Sequence, residues 1–254
     1  QLIELGASGT EQVDQTFKAY FTESQLVRES LEKFLNKFEI TNYEFLEVQN
    51  ENWVAMCEDM FQPVQINNIK IQPIFDYQLR EKVPGQIYLI PGMGFGSGHH
   101  ETSQMLISTL QELPINPKEQ LKILDFGTGS GILSLATTEI FPNASILAID
   151  NDAQALLNAK DNLEVNQHQS QVNLSNQDLK EITGQFDIIL ANIYLEVLKN
   201  YQEDLRRLIK PNGYLLISGL TLDQDNAFRE DFASWEYLQA DSLGNWNSYL
   251  LKKS

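Results

Sequence analysis

Three alternate glycines, Gly127, Gly129 and Gly131, follow directly on a short apolar run within residues 121–131, LKILDFGTGSG. A second apolar run, 145–149, leads into Asp150. Glycines at this spacing let the main chain turn tightly and come close to a bulky ligand, and an acid at the tip of the next strand can accept hydrogen bonds from both hydroxyls of a ribose. The pattern predicts a site for a nucleoside-bearing cofactor, with Asp150 on the ribose. The G-x-G-x-G spacing differs from the G-x-G-x-x-G that cradles a pyrophosphate, which argues against a nicotinamide dehydrogenase.

Two further groups of residues have types and positions suited to chemistry. Residues 91–103, PGMGFGSGHHETS, combine four glycines, two adjacent histidines and the hydroxyls of Ser97, Thr102 and Ser103. Such a loop can fold over a ligand, and Thr102 and Ser103 open a helical pattern over 105–113. Free N–H groups at a helix start can cap a ligand carboxylate while small hydroxyls add donors. His99, His100 and Glu101 make a poor metal set, because adjacent histidines diverge on any regular element and no other ligand cluster is visible; no metal is expected. Asn192 ends the run FDIILAN, where an open α/β sheet carries its reactive groups. It reads either as a reactive group at the sheet edge or as the cap of the following helix.

The elements that must hold these residues form an alternating pattern from residue 120 onward, the signature of a doubly wound α/β sheet. Strands are expected over 121–125, 145–150, 172–176, 186–192 and 214–218, with a final hairpin of 235–240 and 246–251 joined through Gly244 and Asn245. Helices are expected over 132–140, 153–166 with Asp152 as N-cap, and 194–209. The run 186–192 is nearly all apolar and so belongs at the centre of the sheet. This is a mostly parallel sheet of seven strands. The first part of the chain differs in texture: a broadly helical stretch over 11–38, strands over 44–48 and 65–71, and an aromatic, acidic helix over 50–61. The expected organisation is a small α+β domain over 1–60, a linker with strands over 61–90, and a catalytic domain over 91–254.

Composition limits the partners. The net charge of −17 disfavours a protein that holds nucleic acid by neutralising phosphates, and it would steer in a basic protein partner. Acidity also serves solubility, which charge alone does not separate from steering. No apolar run approaches the roughly 20 residues needed to span a bilayer, and no signal-peptide pattern opens the chain, so a cytoplasmic protein without membrane contact is expected. The single cysteine, Cys57, excludes an intramolecular disulfide. The first residue is Gln1 rather than methionine, and a missing or processed start is the expectation.

The glycine turn resembles the first motif of class I methyltransferases that use S-adenosyl-L-methionine (SAM). Asn192 is followed by Ile193 and Tyr194 rather than by two prolines, which argues against the enzymes that methylate amino groups of nucleic acid bases. Taken in order, PGMGFGSGHHETS, ILDFGTGSGILSLA, AIDNDAQALLNAKDNLEVN, ILANIYLEVL and IKPNGYLLISGL resemble the methyltransferases that modify amines of the large-subunit ribosomal protein L11. The resemblance covers about residues 50–252, including Trp53 through Pro63 and Val64, which is similar to the family's inter-domain stretch. It implies SAM contacts at Phe95, Thr102, Ser103, Gly127, Gly129 and Asp150, with Asn192 near the methyl group as the catalytic residue. It also implies a monomer acting on a basic ribosomal protein. Ser97 and Ser103 stand where the family usually has threonine, and both keep the hydroxyl. Residues 1–45 match the family's substrate-recognition domain poorly, which leaves open another protein, a small-molecule amine, or a SAM-binding module without activity.

Overall fold

In the computed structural model, which describes residues 7–13, 16–21, 25–38, 40, 42, 43, 45, 62–92 and 100–253, the chain divides into two units, 1–50 and 51–254. The first unit holds β1 (Ala7–Val13) and β2 (Thr16–Phe21), an antiparallel pair that brings Val13 opposite Thr16, and α1 (Gln25–Lys37). The helix expected over 11–38 therefore begins only at Gln25. β-Branched and aromatic residues at Thr10, Val13, Thr16, Phe17, Tyr20 and Phe21 favour strands once a partner is available, and that pairing overrides the local helical reading. On α1, Leu31 is buried with Phe34 and Leu35 half-buried, one stripe at helical spacing. Arg28 lies 5.0 Å over the ring of Phe45. Apart from Phe45, the strand expected over 44–48 and the helix expected over 50–61 lie outside the described residues.

The second unit opens with β3 (Val64–Ile66), β4 (Ile69–Pro73) and β5 (Gln86–Leu89), a small sheet in which β3 and β4 are antiparallel and β4 and β5 parallel. The single strand expected over 65–71 is thus two strands, broken at Asn67, whose φ of 51° is the left-handed conformation that asparagine tolerates in turns. The stretch expected as a linker contributes Ile66, Ile69, Ile71, Ile87 and Leu89 to the main core, where they pack with Leu106, Ile107 and Leu110.

The remaining elements are α2 (Glu101–Glu112), β6 (Lys122–Phe126), α3 (Ile132–Ile140), β7 (Ser145–Ile149), α4 (Ala153–Val165), β8 (Val172–Ser175), β9 (Phe186–Asn192), α5 (Leu195–Asn200), α6 (Gln202–Leu208), β10 (Ile209–Thr221), α7 (Asp225–Asp231), β11 (Glu236–Leu243) and β12 (Trp246–Lys252). The helix expected over 194–209 is two helices that meet at Tyr201, whose hydroxyl donates to Asp178 at 2.7 Å. The seven-stranded sheet has the order β11-β12-β10-β9-β6-β7-β8, with β12 antiparallel to both neighbours and every other pairing except those of β12 parallel. As expected, β9 is central. Its side chains alternate between the two faces: Ile188 and Leu190 join the core with α2, α3 and the small sheet, while Ile189 and Ala191 join the core with α5, α6 and Phe228. Strand order reverses between β6 and β9, which opens a crevice at their carboxyl ends. Among the described residues, no helix is long and apolar enough to cross a membrane and no group of three or more acidic, histidine or cysteine side chains is placed to hold a metal.

A polar latch ties the small sheet to the large one. Glu139 accepts a hydrogen bond from Gly85 N–H at 2.9 Å and lies 3.0 Å from His168 Nε2, while His168 Nδ1 is 3.0 Å from Gln171 Oε1. Burial opposes ionisation of Glu139, but the bonds from His168 and Gly85 outweigh it and hold the carboxyl below its ordinary range. A carboxyl depressed in the folded state is protonated first in the unfolded chain, so its contribution is complete at neutral pH and is lost as the pH falls below about 4.3. Urea unfolding measured down the acid range should show stability falling less steeply for Glu139→Gln than for the parent chain. Glu139→Ala should cost about 2 kcal/mol at neutral pH, because it leaves His168 and the Gly85 amide without their acceptor.

Candidate active site

Phe126 at the end of β6 pairs with Ile149 of β7 on one side and with Ala191 of β9 on the other. The next residues, Gly127, Asp150 and Asn192, therefore leave the sheet in one row along the crevice. Gly127, Gly129 and Gly131 have φ of 76°, 55° and 80°, conformations open to glycine and strained for other residues. The turn they form is pinned to β7: Gly127 and Thr128 N–H donate to Ile149 O at 2.9 and 3.0 Å, and Gly129 N–H donates to Asp150 Oδ2 at 2.9 Å. Asp152 N–H occupies the other oxygen of Asp150 at 3.0 Å. A Cβ on Gly127 would lie 2.4 Å from Ile193 Cγ2, so the turn sits directly against the residue after Asn192.

Beneath the turn lies Asp125, fully buried. Its Oδ2 accepts from Thr128 Oγ1 at 2.7 Å and Ser134 Oγ at 2.6 Å, whereas Oδ1 is buried without a hydrogen-bond partner. Burial pushes this carboxyl up, the bonds from Ser134 and Thr128 pull it down, and the charge of Asp150 adds to the rise. Asp150 at the rim of the glycine turn disfavours a pyrophosphate there and suits a ligand of positive charge.

Asn192 does not cap α5; that position belongs to Tyr194. Its Nδ2 instead donates to Thr102 Oγ1 at 3.1 Å and to Ser103 Oγ at 3.2 Å, both on the first turn of α2 and both buried. The structure thus gathers Thr102, Ser103, Gly127, Gly129, Asp150 and Asn192 at one edge, while Phe95 lies outside the described residues. α2 begins at Glu101, with His100 as N-cap, earlier than the pattern over 105–113 suggests. The backbone beside Asn192 is held close by Gly219, whose φ is 89° and where a Cβ would come within 3.0 Å of the Ile193 main chain.

Several supports of the site went unrecognised in the sequence. Asn162, fully buried, donates to Ser130 O at 2.9 Å in the glycine turn and accepts from Ile90 N–H at 2.7 Å just before the glycine-rich loop. It thereby ties two binding segments together. A polar residue on the buried face of α4 was the available signal. Asp125, an acid in an otherwise apolar strand with hydroxyls three and nine residues on, was equally legible. His100 and Trp246, whose rings are 4.7 Å apart, are brought together only by the fold.

The residues present fit SAM. The carboxylate of Asp150 keeps lone pairs beyond its two backbone bonds for a ribose diol, and the unpartnered oxygen of Asp125 lies under a turn suited to a cationic ligand. A sheet of this order with its seventh strand reversed, a glycine turn and an acid in step with it defines a class I methyltransferase. The chain matches over residues 2–254 the family described as ribosomal protein L11 methyltransferase (PrmA), and it belongs to that family. The ribosomal protein L11 methyltransferase of Pelobacter propionicus is 30% identical over 94% of this chain and 82% of its own. That of Geotalea daltonii is 31% identical over 79% of this chain and 67% of its own. Among solved structures, the ribosomal protein L11 methylase of Lactobacillus delbrueckii subsp. bulgaricus superposes with a TM-score of 0.66 at 25% identity, covering 76% of this chain and all of that one.

Two substitutions test this geometry. Asp150→Ala should weaken SAM binding at least about tenfold by calorimetry, since a charge-assisted hydrogen bond is worth about 1.5–3 kcal/mol; unchanged affinity in a folded variant would remove the ribose assignment. Gly127→Ala adds a left-handed alanine, costing about 1 kcal/mol, and drives its methyl into Ile193. It should lower both the melting temperature and SAM affinity, whereas the same change at Gly184, where a Cβ meets nothing within 4 Å, should leave SAM affinity intact.

Proposed function

We propose that this chain transfers methyl groups from SAM to amines of ribosomal protein L11, on lysine side chains, the N-terminal amine or both, acting as a monomer in the cytoplasm where that substrate is assembled. The observation that carries the reading is Asn192, anchored on Thr102 and Ser103 in the same row as the glycine turn and Asp150. Family membership supplies the substrate.

Gly127 and Gly129 would lie along the cofactor, Asp150 on its ribose, and the start of α2 near its polar end. When bound, SAM supplies a methyl group on a positive sulfonium, open to in-line attack by a nitrogen lone pair. The chain's own part is alignment and desolvation. A lysine amine, with a pKa of about 10.4, must lose a proton before it can attack, and removal from water favours the neutral form. Asn192 orients the incoming nitrogen, and the proton passes to water, since the nearby hydroxyls of Thr102 and Ser103 are engaged with Asn192. The leading unit, residues 1–50, holds the basic substrate and presents its amines, drawn in by a chain with 35 acidic and 18 basic residues.

Mass spectrometry of purified ribosomal protein L11 after incubation with the chain and SAM should show mass added in whole methyl groups; an unmodified protein beside a methylated small amine would favour the small-molecule reading. Asn192→Ala should lower turnover on the order of 10²-fold, as misplacement of a reacting atom does, while SAM affinity stays within about threefold. Deleting residues 1–50 should leave SAM binding intact and abolish methylation of the protein, and full-length activity should fall as salt screens the attraction. A truncated chain that methylates the protein at the parent rate would give the leading unit another role.

A further inference from the structure

A primary amide has two faces of opposite character, a donor NH₂ and an acceptor oxygen, and which face Asn192 turns toward the substrate decides what it can hold. Its Nδ2 lies against two hydroxyls, and a hydroxyl can donate as well as accept, so contact with Thr102 and Ser103 alone does not fix the orientation. The third partner of Thr102 does. His100 Nδ1 lies 2.8 Å from Thr102 Oγ1, and the same nitrogen receives Thr102 N–H at 3.4 Å as the N-cap of α2. The main-chain N–H of Thr102 can only donate, which assigns Nδ1 the acceptor role, places the ring proton on Nε2 and makes the Thr102 hydroxyl the donor in its contact with Nδ1. The Thr102 hydroxyl spends its proton on His100 and can only accept from Asn192. Trp246 holds the imidazole from the side, ring centres 4.7 Å apart, and Glu101 Oε2 stands 3.9 Å from Nδ1.

We infer that His100, acting through Thr102, sets the polarity of the Asn192 amide so that Oδ1 faces the reaction space as an acceptor for the N–H groups of the substrate amine. This rests on the reading of Asn192 given above. An oxygen in that place can accept a substrate N–H and leave the nitrogen lone pair for the methyl, whereas an NH₂ group there would bind the lone pair itself and block attack. His100 is therefore a positioning residue. Without it, the freed Thr102 hydroxyl can donate to Asn192 Oδ1, and the amide can turn over at no cost in hydrogen bonds.

His100→Ala should lower turnover on the order of 10-fold or more, with KM for the protein substrate and SAM affinity each within about threefold of the parent. His100→Asn, which puts Oδ1 where histidine has Nδ1, should restore turnover. Thr102→Val should match His100→Ala, Thr102→Ser should not, and the double variant His100→Ala with Thr102→Val should be no worse than Thr102→Val alone. The two threonine variants keep the test valid if His100→Ala fails to fold. An independent readout needs no methylation: with asparagine labelled in ¹⁵N, the Asn192 side-chain amide protons should show nuclear Overhauser contacts to the Thr102 and Ser103 side chains that fade in His100→Ala. Contacts undiminished in that variant, turnover within about twofold of the parent, or failure of His100→Asn to restore it would each overturn the inference. Absence of methylation by the parent chain, with the contacts behaving as described, would instead count against the substrate reading and leave the amide polarity supported.

Discussion

The pairing of β6 with β7 on one side and β9 on the other puts three residues level, and the candidate site is built on that register. Phe126 is opposite both Ile149 and Ala191, so Gly127, Asp150 and Asn192 emerge together from strands whose fully buried residues are apolar apart from Asp125. A slip of one residue in any of these strands would turn its buried side chains to the opposite face and shift its reactive residue out of the row. Ile123, Leu124, Ile188, Ile189 and Leu190 are all effectively inaccessible to solvent, and their packing on both faces makes such a slip prohibitive. The hydrophobic core thus fixes the chemistry to within the pleat of a strand. β10 extends the same register, with Ser218 opposite Asn192 and the Ser218 hydroxyl donating to Asn247 O at 2.8 Å.

Electrostatics then narrows what the row can bind. Asp125 and Asp150 flank the glycine turn, the first buried under it and the second half-exposed at its rim. In a medium of low dielectric an oxygen of Asp125 with no hydrogen-bond partner is costly, and a cation placed nearby lowers that cost. The acidic balance of the chain acts at longer range and in the same sense, toward a basic protein. Cofactor and substrate of the proposed reaction are both positive, so one sign of field serves both, while release of a proton from the amine removes one charge before the methyl moves.

The glycine turn, Asp150 and Asn192 were legible in the sequence because each marks a local constraint: a backbone that must reach positive φ, or a polar residue at the end of an apolar run. The central place of FDIILAN was legible because strands buried on both faces carry long apolar runs, whereas the final hairpin, whose β11 is an exposed edge strand, was legible from the turn at Gly244 and Asn245. What the sequence hid was non-local. Thr102 and Ser103 were read as ligand groups on a helix start, and their bonds to Asn192 span some ninety residues that only the folded chain brings together. The 61–90 stretch carries modest apolar content, and its place in the core depends on α2 covering it. At the other end, the β1–β2 pair was hidden because strands gain their stability from each other, while α1 next to it carries its own periodic signal.

The polar chain from His100 through Thr102 to Asn192 is built by segments that pack for unrelated reasons. α2 is held by Leu106, Ile107 and Leu110 in the core; the β11–β12 hairpin reaches back to it through Trp246 on His100 and through Gly244, where a Cβ would lie 3.1 Å from Glu101 Oε1. Asn192 comes from the centre of the sheet. The core therefore holds both ends of that polar chain, Thr102 and Ser103 on the buried first turn of α2 and Asn192 on β9. An amide whose polarity is set from the start of α2 is thereby tied to a helix packed in the core, so the packing that places Leu106, Ile107 and Leu110 also places the group that orients the acceptor.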